Sequence, residues 1–298
     1  MNLLSALPGA VAQGLVWGIM AIGVYISYKI LDFADLTVDG SLCTGAAVCT
    51  VLILAGVNPV LAMLAAIVAG FAAGAVTGAL HIVLGIPAIL SGILTQLMLW
   101  SVNLVIMGKA NLALMSRNAG VSVLITQMFT GRSIGILAGI CIVLVGILYL
   151  FFGTELGCSI RATGCNSAMS RAQGINTNFT KILGLALSNA IVAFSGALLC
   201  QYQGSADINM GRGAIVVGLA AVIIGEAIFS RISSNFAVRL VGVLAGSVIY
   251  YLVYQAVISV GFNSDLLKMF SAVVVALFLG IPYIKNHYFA SKGGKKNA

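Results

Sequence analysis

The chain has 298 residues, of which 61% are hydrophobic and only 7% charged, a balance that excludes a water-soluble globular domain because so little charge cannot cover so much apolar surface. At roughly 20 apolar residues per crossing, the length admits about eight to ten membrane spans with short loops and leaves no room for a soluble catalytic domain. The net charge of +8 does not point to nucleic acid: apart from the tail KGGKKNA, the basic residues stand singly between apolar runs, as positive-inside bias requires.

Nine apolar runs follow one another, at about residues 7–30, 40–55, 58–80, 82–107, 133–152, 181–202, 213–230, 240–262 and 268–284 by the window rule for spans. The start MNLLSALPG lacks a basic n-region, so the first run is expected to be a span and not a cleaved signal. The second run is short and interrupted by glycine, which suggests a half-helix or re-entrant element lined by protein. The 35 glycines suit helices that approach closely in lipid. The fold expected is an all-α integral membrane protein, a single domain over residues 1–298 with about eight or nine transmembrane helices.

Asp32, Asp35 and Asp39 gather where the second run begins. Carboxylates there can stabilise the positive end of that helix. Alternatively, Asp35 or Asp39 lines the inner mouth of a solute path and meets the ammonium of a zwitterion. Gln96, Asn103 and Asn189 lie inside spans, where an interhelical hydrogen bond is worth about 0.6 kcal/mol; Gln96 and Asn103 are also candidate pathway residues. His81 stands alone at a turn, without metal-ligand spacing around it.

The stretch CSIRATGCNSAMSRAQGINTNFTK, Cys158 to Lys181, is a polar insert between two long apolar runs. Asn166 is a good N-cap and Gly174 a good residue just past a C-terminus, which predicts a two-turn helix over SAMSRAQ, and Asn176 can cap the long helix that follows. Met169 and Ala172 offer a small apolar ridge, while Arg161 and Arg171 supply charge-assisted donors. On these residues alone the insert is either a loop that fixes orientation or a grip for a partner.

Farther on, Glu226 is the one acid deep in an apolar run, expected to face protein or water as a gate or packing contact, with Arg231 or Arg161 as partner, or to snorkel to the interface. The six cysteines show no CxxC pairing, so neither a disulfide framework nor a metal site is indicated. Counting alternate crossings places the insert, the 231–239 loop and the basic tail 285–298 on one side, which their Lys and Arg residues mark as cytoplasmic. The segment 108–132, with Lys109, Arg117 and Arg132, then falls outside, either as an external docking loop or through a miscounted span. ADLTVDG from Ala34 and ADINMG from Ala206 echo each other, with five crossings between their leading helices, so the second copy would be inverted. No GxxxxGK[ST], HExxH or GxSxG pattern occurs, which disfavours an ATPase or hydrolase on this chain.

The run from Gly157 to Leu198 resembles the signature of ABC importer permeases of the branched-chain amino acid and ribose type, matching at Gly157, Ile160, Arg161, Ala162, Gly164, Asn166, Gly174, Ile175, Asn176 and Ser195 to Leu198. LDFADLTVDGS is similar to the start found in the branch linked to tryptophan and tyrosine uptake. Cys165 and Ser167 depart from the Glu and Pro that many relatives carry in that segment. The resemblance implies a multi-pass permease of the bacterial plasma membrane, not itself an enzyme. Residues 157–176 would be its coupling segment, with Arg161, Ala162, Gly164, Asn166, Met169, Arg171, Ala172, Gly174 and Asn176 facing an ATP-binding subunit. It further implies a homodimer, two such ATP-binding subunits holding ATP and magnesium, an extracytoplasmic solute-binding protein, and an amino-acid cargo, aromatic before branched-chain. No cofactor is expected on this chain. The inverted echo keeps a stand-alone secondary transporter as the rival.

Overall fold

The computed structural model describes residues 3–114, 123–126, 130–229 and 235–259, together with Met269, Val273 and Ala276. In chain order the elements are α1 (Leu3–Tyr25) with a π-helical turn over Ile26–Ile30, α2 (Val38–Leu54), α3 (Pro59–Ile82), α4 (Ala88–Met107), β1 (Asn111–Ala113), α5 (Thr130–Phe152), α6 (Glu155–Cys165), α7 (Ser167–Ala172), α8 (Thr177–Gln203), β2 (Ser205–Asp207), α9 (Ala214–Phe229) and α10 (Phe236–Ser259). Eight of the nine apolar runs are helices. The ninth, 268–284, lies outside the described residues apart from those three positions, as do Arg117, Arg231 and the basic tail 285–298.

Among the described residues six helices are long and apolar enough to cross a membrane: α1 with its π turn, α3, α4, α5, α8 and α10. The described parts of α2 and α9, 17 and 16 residues, are the shorter apolar helices, at or just under the lower limit of a crossing. The second run is therefore short, as expected, but its glycines do not break it. Gly40 packs against Leu99, and a Cβ at position 45 would strike the carbonyl of Ala193, so these glycines admit neighbours at close range without interrupting the helix.

The bundle is organised around α8, with 78% of its apolar stretch buried inside the protein against 17% for α5. Gly70, Gly74 and Gly78, spaced one turn apart on α3, each put bare backbone against α8, where any side chain would meet Asn189, Leu185 or Ile182. Hydroxyl groups then stitch helices together. Ser195 Oγ donates to the carbonyl of Val16 (2.7 Å) and Ser188 Oγ to that of Gly23 (2.8 Å), so α1 and α8 run in opposite senses. The two echoed motifs follow these antiparallel helices and lead into α2 and α9, which is the relation the crossing count anticipated.

The bundle has two distinct ends. At one lie Lys29, α6, α7, the start of α8, the end of α9 and the start of α10. At the other, β1 pairs antiparallel with β2 (Asn111↔Asp207, Ala113↔Ser205) and ties the end of α4 to the end of α8, with Asn111 Nδ2 donating to Asp207 Oδ2 at 3.1 Å. Lys109 and Arg132 flank this second end. Leu124 N–H donates to Gln201 Oε1 (3.1 Å) and Thr126 N–H to Ser133 Oγ (3.1 Å), so α5 starts at the end where α4 stops, and it returns the chain to α6.

Candidate functional site

The polar insert is two helices, where its sequence predicts one. Thr154 caps α6 by accepting from Gly157 N–H (3.3 Å), and Asn166 ends α6 while capping α7 through Met169 N–H (3.0 Å). Gly174 then takes φ +83°, a left-handed conformation that suits glycine and lets Ile175 N–H close on the Ser170 carbonyl. Asn176 caps α8 by accepting from Phe179 N–H at 3.2 Å. The three caps fall where the sequence places them. The missed element is α6, whose N-cap lies before the polar stretch begins.

The grip of the insert on the bundle comes from α6. Ile160 is fully buried, and Gly164 sits so close to the Ile30 carbonyl that any Cβ would collide with it. Thr163 and Thr180 hydroxyls share a hydrogen bond of 2.9 Å, joining α6 to α8. Arg161 does not pair with Glu226; its guanidinium lies over the ring of Phe236, 5.6 Å from the centroid, at the start of α10. Ala162 is half-buried, while Met169, Arg171 and Ala172 are exposed on α7. α6 thus touches α1, α8 and α10 and joins α7 to all three.

Glu226 pairs instead with Lys29, Oε2 to Nζ at 3.0 Å, linking the end of α9 to the π turn of α1. With Arg239, these two line a cavity of about 430 Å³ at the end that carries α6 and α7. Lys29 is legible in the sequence as a lone cation at the edge of the first apolar run.

Halfway along α8, Asn189 forms a sealed polar knot. Its Nδ2 donates to Asp35 Oδ2 (2.6 Å), its Oδ1 accepts from Ser41 Oγ (2.6 Å), and Asp35 Oδ1 accepts from Thr37 N–H (2.9 Å). Thr37 in turn bonds Thr77 of α3. Asp35 therefore fixes the entry to α2 and is itself 2% exposed. Asp32 is exposed.

Asp39 lies in the first turn of α2 yet serves a different helix. Its two carboxylate oxygens accept from Gly213 N–H (2.9 Å) and Ile215 N–H (3.0 Å), capping the N-terminus of α9. The two short helices thus meet N-terminus to N-terminus, beside the midpoint of α8. Discontinuous membrane helices that end at mid-depth are where transporter folds place polar solutes.

A cavity of about 160 Å³ opens at this junction, lined by Asp39, Gly40 and Cys43 of α2, Gln96, Leu97, Trp100 and Asn103 of α4, and Ile208 and Arg212 before α9. It brings together Asp39, Gln96 and Asn103, candidates on the sequence alone, and adds Trp100 and Arg212, which no local pattern singles out. A larger cavity of about 570 Å³ between α3, α5 and α8 is walled by residues such as Ile67, Ile140 and Phe194, and offers nothing polar to recognise a solute.

Comparison with known proteins agrees with this architecture. Residues 7–282 match the model of the branched-chain amino acid transport system permease component. The chain is 40% identical over 278 residues to the tyrosine transport system permease protein of Clostridioides difficile, covering 93% of this chain and 91% of that protein. It is 28% identical over 269 residues to the ribose import permease protein of Escherichia coli, covering 89% and 81%. It is 26% identical over 275 residues to the fructose import permease protein of Bifidobacterium longum, covering 89% and 74%. Relatives named for an amino acid and for sugars share the scaffold, so family membership fixes the role more firmly than the cargo. The chain is a multi-pass bacterial plasma-membrane protein and belongs to the branched-chain amino acid transport system permease family.

Proposed function

We propose that this chain is the membrane-spanning subunit of an ATP-driven importer that carries an amino acid, aromatic before branched-chain, into the cytoplasm. It acts as a homodimer with two ATP-binding subunits, which hold ATP and magnesium, and with an extracytoplasmic solute-binding protein. The observation that carries this reading is the α6–α7 unit: α7 is exposed, while α6 is locked by Gly164 and Thr163 onto the ends of α1 and α8. Such a unit suits a partner's push better than a passive loop does. Closure of the ATP-binding subunits would move both copies of the unit and switch the side to which the path opens. A partner shifts that balance only through its different affinities for the two states. The aromatic preference draws on the similarity to a permease named for tyrosine transport.

The test replaces Arg161 and Ala172 with Glu and measures recruitment of the ATP-binding subunit and uptake. Both should fall at least about tenfold, as loss of a charge-assisted contact plus a new repulsion implies; unchanged assembly and uptake would remove the coupling role. A second reading, a stand-alone secondary transporter, draws on the opposite senses of α1–α2 and α8–α9. Purified chain in vesicles separates the two, since uptake driven by an ion gradient without ATP belongs to the second alone.

A further inference from the structure

The mid-depth cavity holds features that the fold itself does not use. Asn103 is 1% exposed, lines the cavity, and its Oδ1 has no hydrogen-bond partner among the described residues; its Nδ2 reaches the Gly40 carbonyl only at 3.5 Å. A buried amide oxygen left without a partner is costly, and it marks a place for a donor supplied from elsewhere. The carboxylate of Asp39, spanning the cavity wall, spends one acceptor position of each oxygen on α9 and keeps others free. Arg212, exposed at the same cavity, brings a guanidinium. Two acceptors for a cation set beside one donor for an anion suit a zwitterion better than a lone metal cation, which Arg212 would repel.

Size and rim narrow the ligand further. About 160 Å³ is below the range usual for a whole small-molecule ligand, so the cavity fits a head group and not an entire amino acid. Leu97 and Trp100, 63% and 43% exposed, stand at its edge and offer an apolar and an aromatic surface to whatever projects from it. We infer that this cavity, at the junction of α2, α4 and α9, is the seat for the α-amino-acid head group of the cargo. The ammonium lies between Asp39 and Asn103 Oδ1, the carboxylate faces Arg212, and the side chain rests on Trp100. This rests on the importer reading for its biological meaning, but binding to the seat can be measured without any partner.

The experiment uses the full chain in nanodiscs with Trp17→Phe, so that Trp100 is the sole tryptophan reporter; calorimetry on the unmodified chain gives the same affinities should that variant fold poorly. L-phenylalanine, which does not absorb where tryptophan is excited selectively, should shift Trp100 emission with an affinity in the millimolar range. N-acetyl-L-phenylalanine, lacking the ammonium, and phenethylamine, lacking the carboxylate, should each bind about tenfold more weakly or worse. Sodium and potassium chloride should leave the emission unchanged. Asn103→Leu should weaken L-phenylalanine about tenfold, and Asn103→Asp, which keeps the shape and adds a charge, should strengthen phenethylamine. No response to L-phenylalanine, equal responses to the three ligands, or indifference to both Asn103 variants would overturn the seat. A chain that drives ATP-dependent uptake while failing these tests keeps the importer role and loses the seat; one that passes them but transports without ATP does the reverse.

Discussion

The carboxylate of Asp39, in the first turn of α2, accepts the backbone N–H of Gly213 at 2.9 Å, immediately before the first residue of α9. One side chain thereby closes the N-terminus of a helix 174 positions away and joins the two short helices of the bundle. Replacing Asp39 with Ala should destabilise the purified protein by about 1–2 kcal/mol, the cost of a lost N-cap, while Asn, which keeps one acceptor, should cost less than half of that. Thermal unfolding in one detergent measures both. Equal stability of the two variants would show that the cap is not what Asp39 contributes.

Gly164 and Gly146 make a matched pair. A methyl group at 164 meets the Ile30 carbonyl, whereas nothing lies within reach of one at 146. Gly164→Ala should lose about 1–3 kcal/mol through overpacking and reduce uptake more than it reduces protein level. Gly146→Ala should leave stability and uptake unchanged. Expression, melting and transport of the two variants, compared side by side, decide the matter.

The Lys29–Glu226 pair is partly solvated, with the side chains 48% and 28% exposed, so its attraction is screened. A double-mutant cycle should give a coupling of about 0.5 kcal/mol at low salt and less at high salt. Lys29→Glu alone sets two acids together at the end that carries α6 and α7; combining it with Glu226→Lys should restore most of the lost uptake. A swap no better than the single variant would exclude a latch between α1 and α9.

Six native cysteines serve as reporters of sidedness. Cys158 and Cys165 are exposed on α6, while Cys43, Cys49, Cys141 and Cys200 are buried. A membrane-impermeant maleimide should label the first two in inside-out vesicles and neither in right-side-out vesicles. The opposite pattern would turn the insert outward and end the coupling proposal.

Asn166 holds a helix of six residues, too short to persist without its cap. Asn166→Ala should cost about 1 kcal/mol locally and raise amide hydrogen exchange over 167–172 well above that of α6. Exchange confined to its original level would mean that α7 is held by other contacts.

Much of this architecture could be read from residue order because its causes are local. The apolar runs report the length of hydrocarbon each helix crosses, and Asn166, Gly174 and Asn176 act on N–H and carbonyl groups a few residues away. The departures share a cause as well. Reading α6 needed Thr154, whose role emerges only when the chain turns beneath α5; charge alone offers Arg161 to Glu226, yet space gives Glu226 Lys29 and Arg161 a phenyl ring. Asp35 and Asp39 look equivalent in sequence, but one is sealed against Asn189 and the other lines a cavity.

Sequence by itself determined that the chain lies in a membrane, where its helices run, and where the short polar helix begins and stops, since hydration of apolar side chains and capping of nearby backbone are properties of a few successive residues. Tertiary structure alone decided which acid caps which helix and which side chains share a cavity. Those outcomes depend on hydrogen bonds and close glycine contacts between segments more than a hundred residues apart, and no local pattern encodes such a meeting.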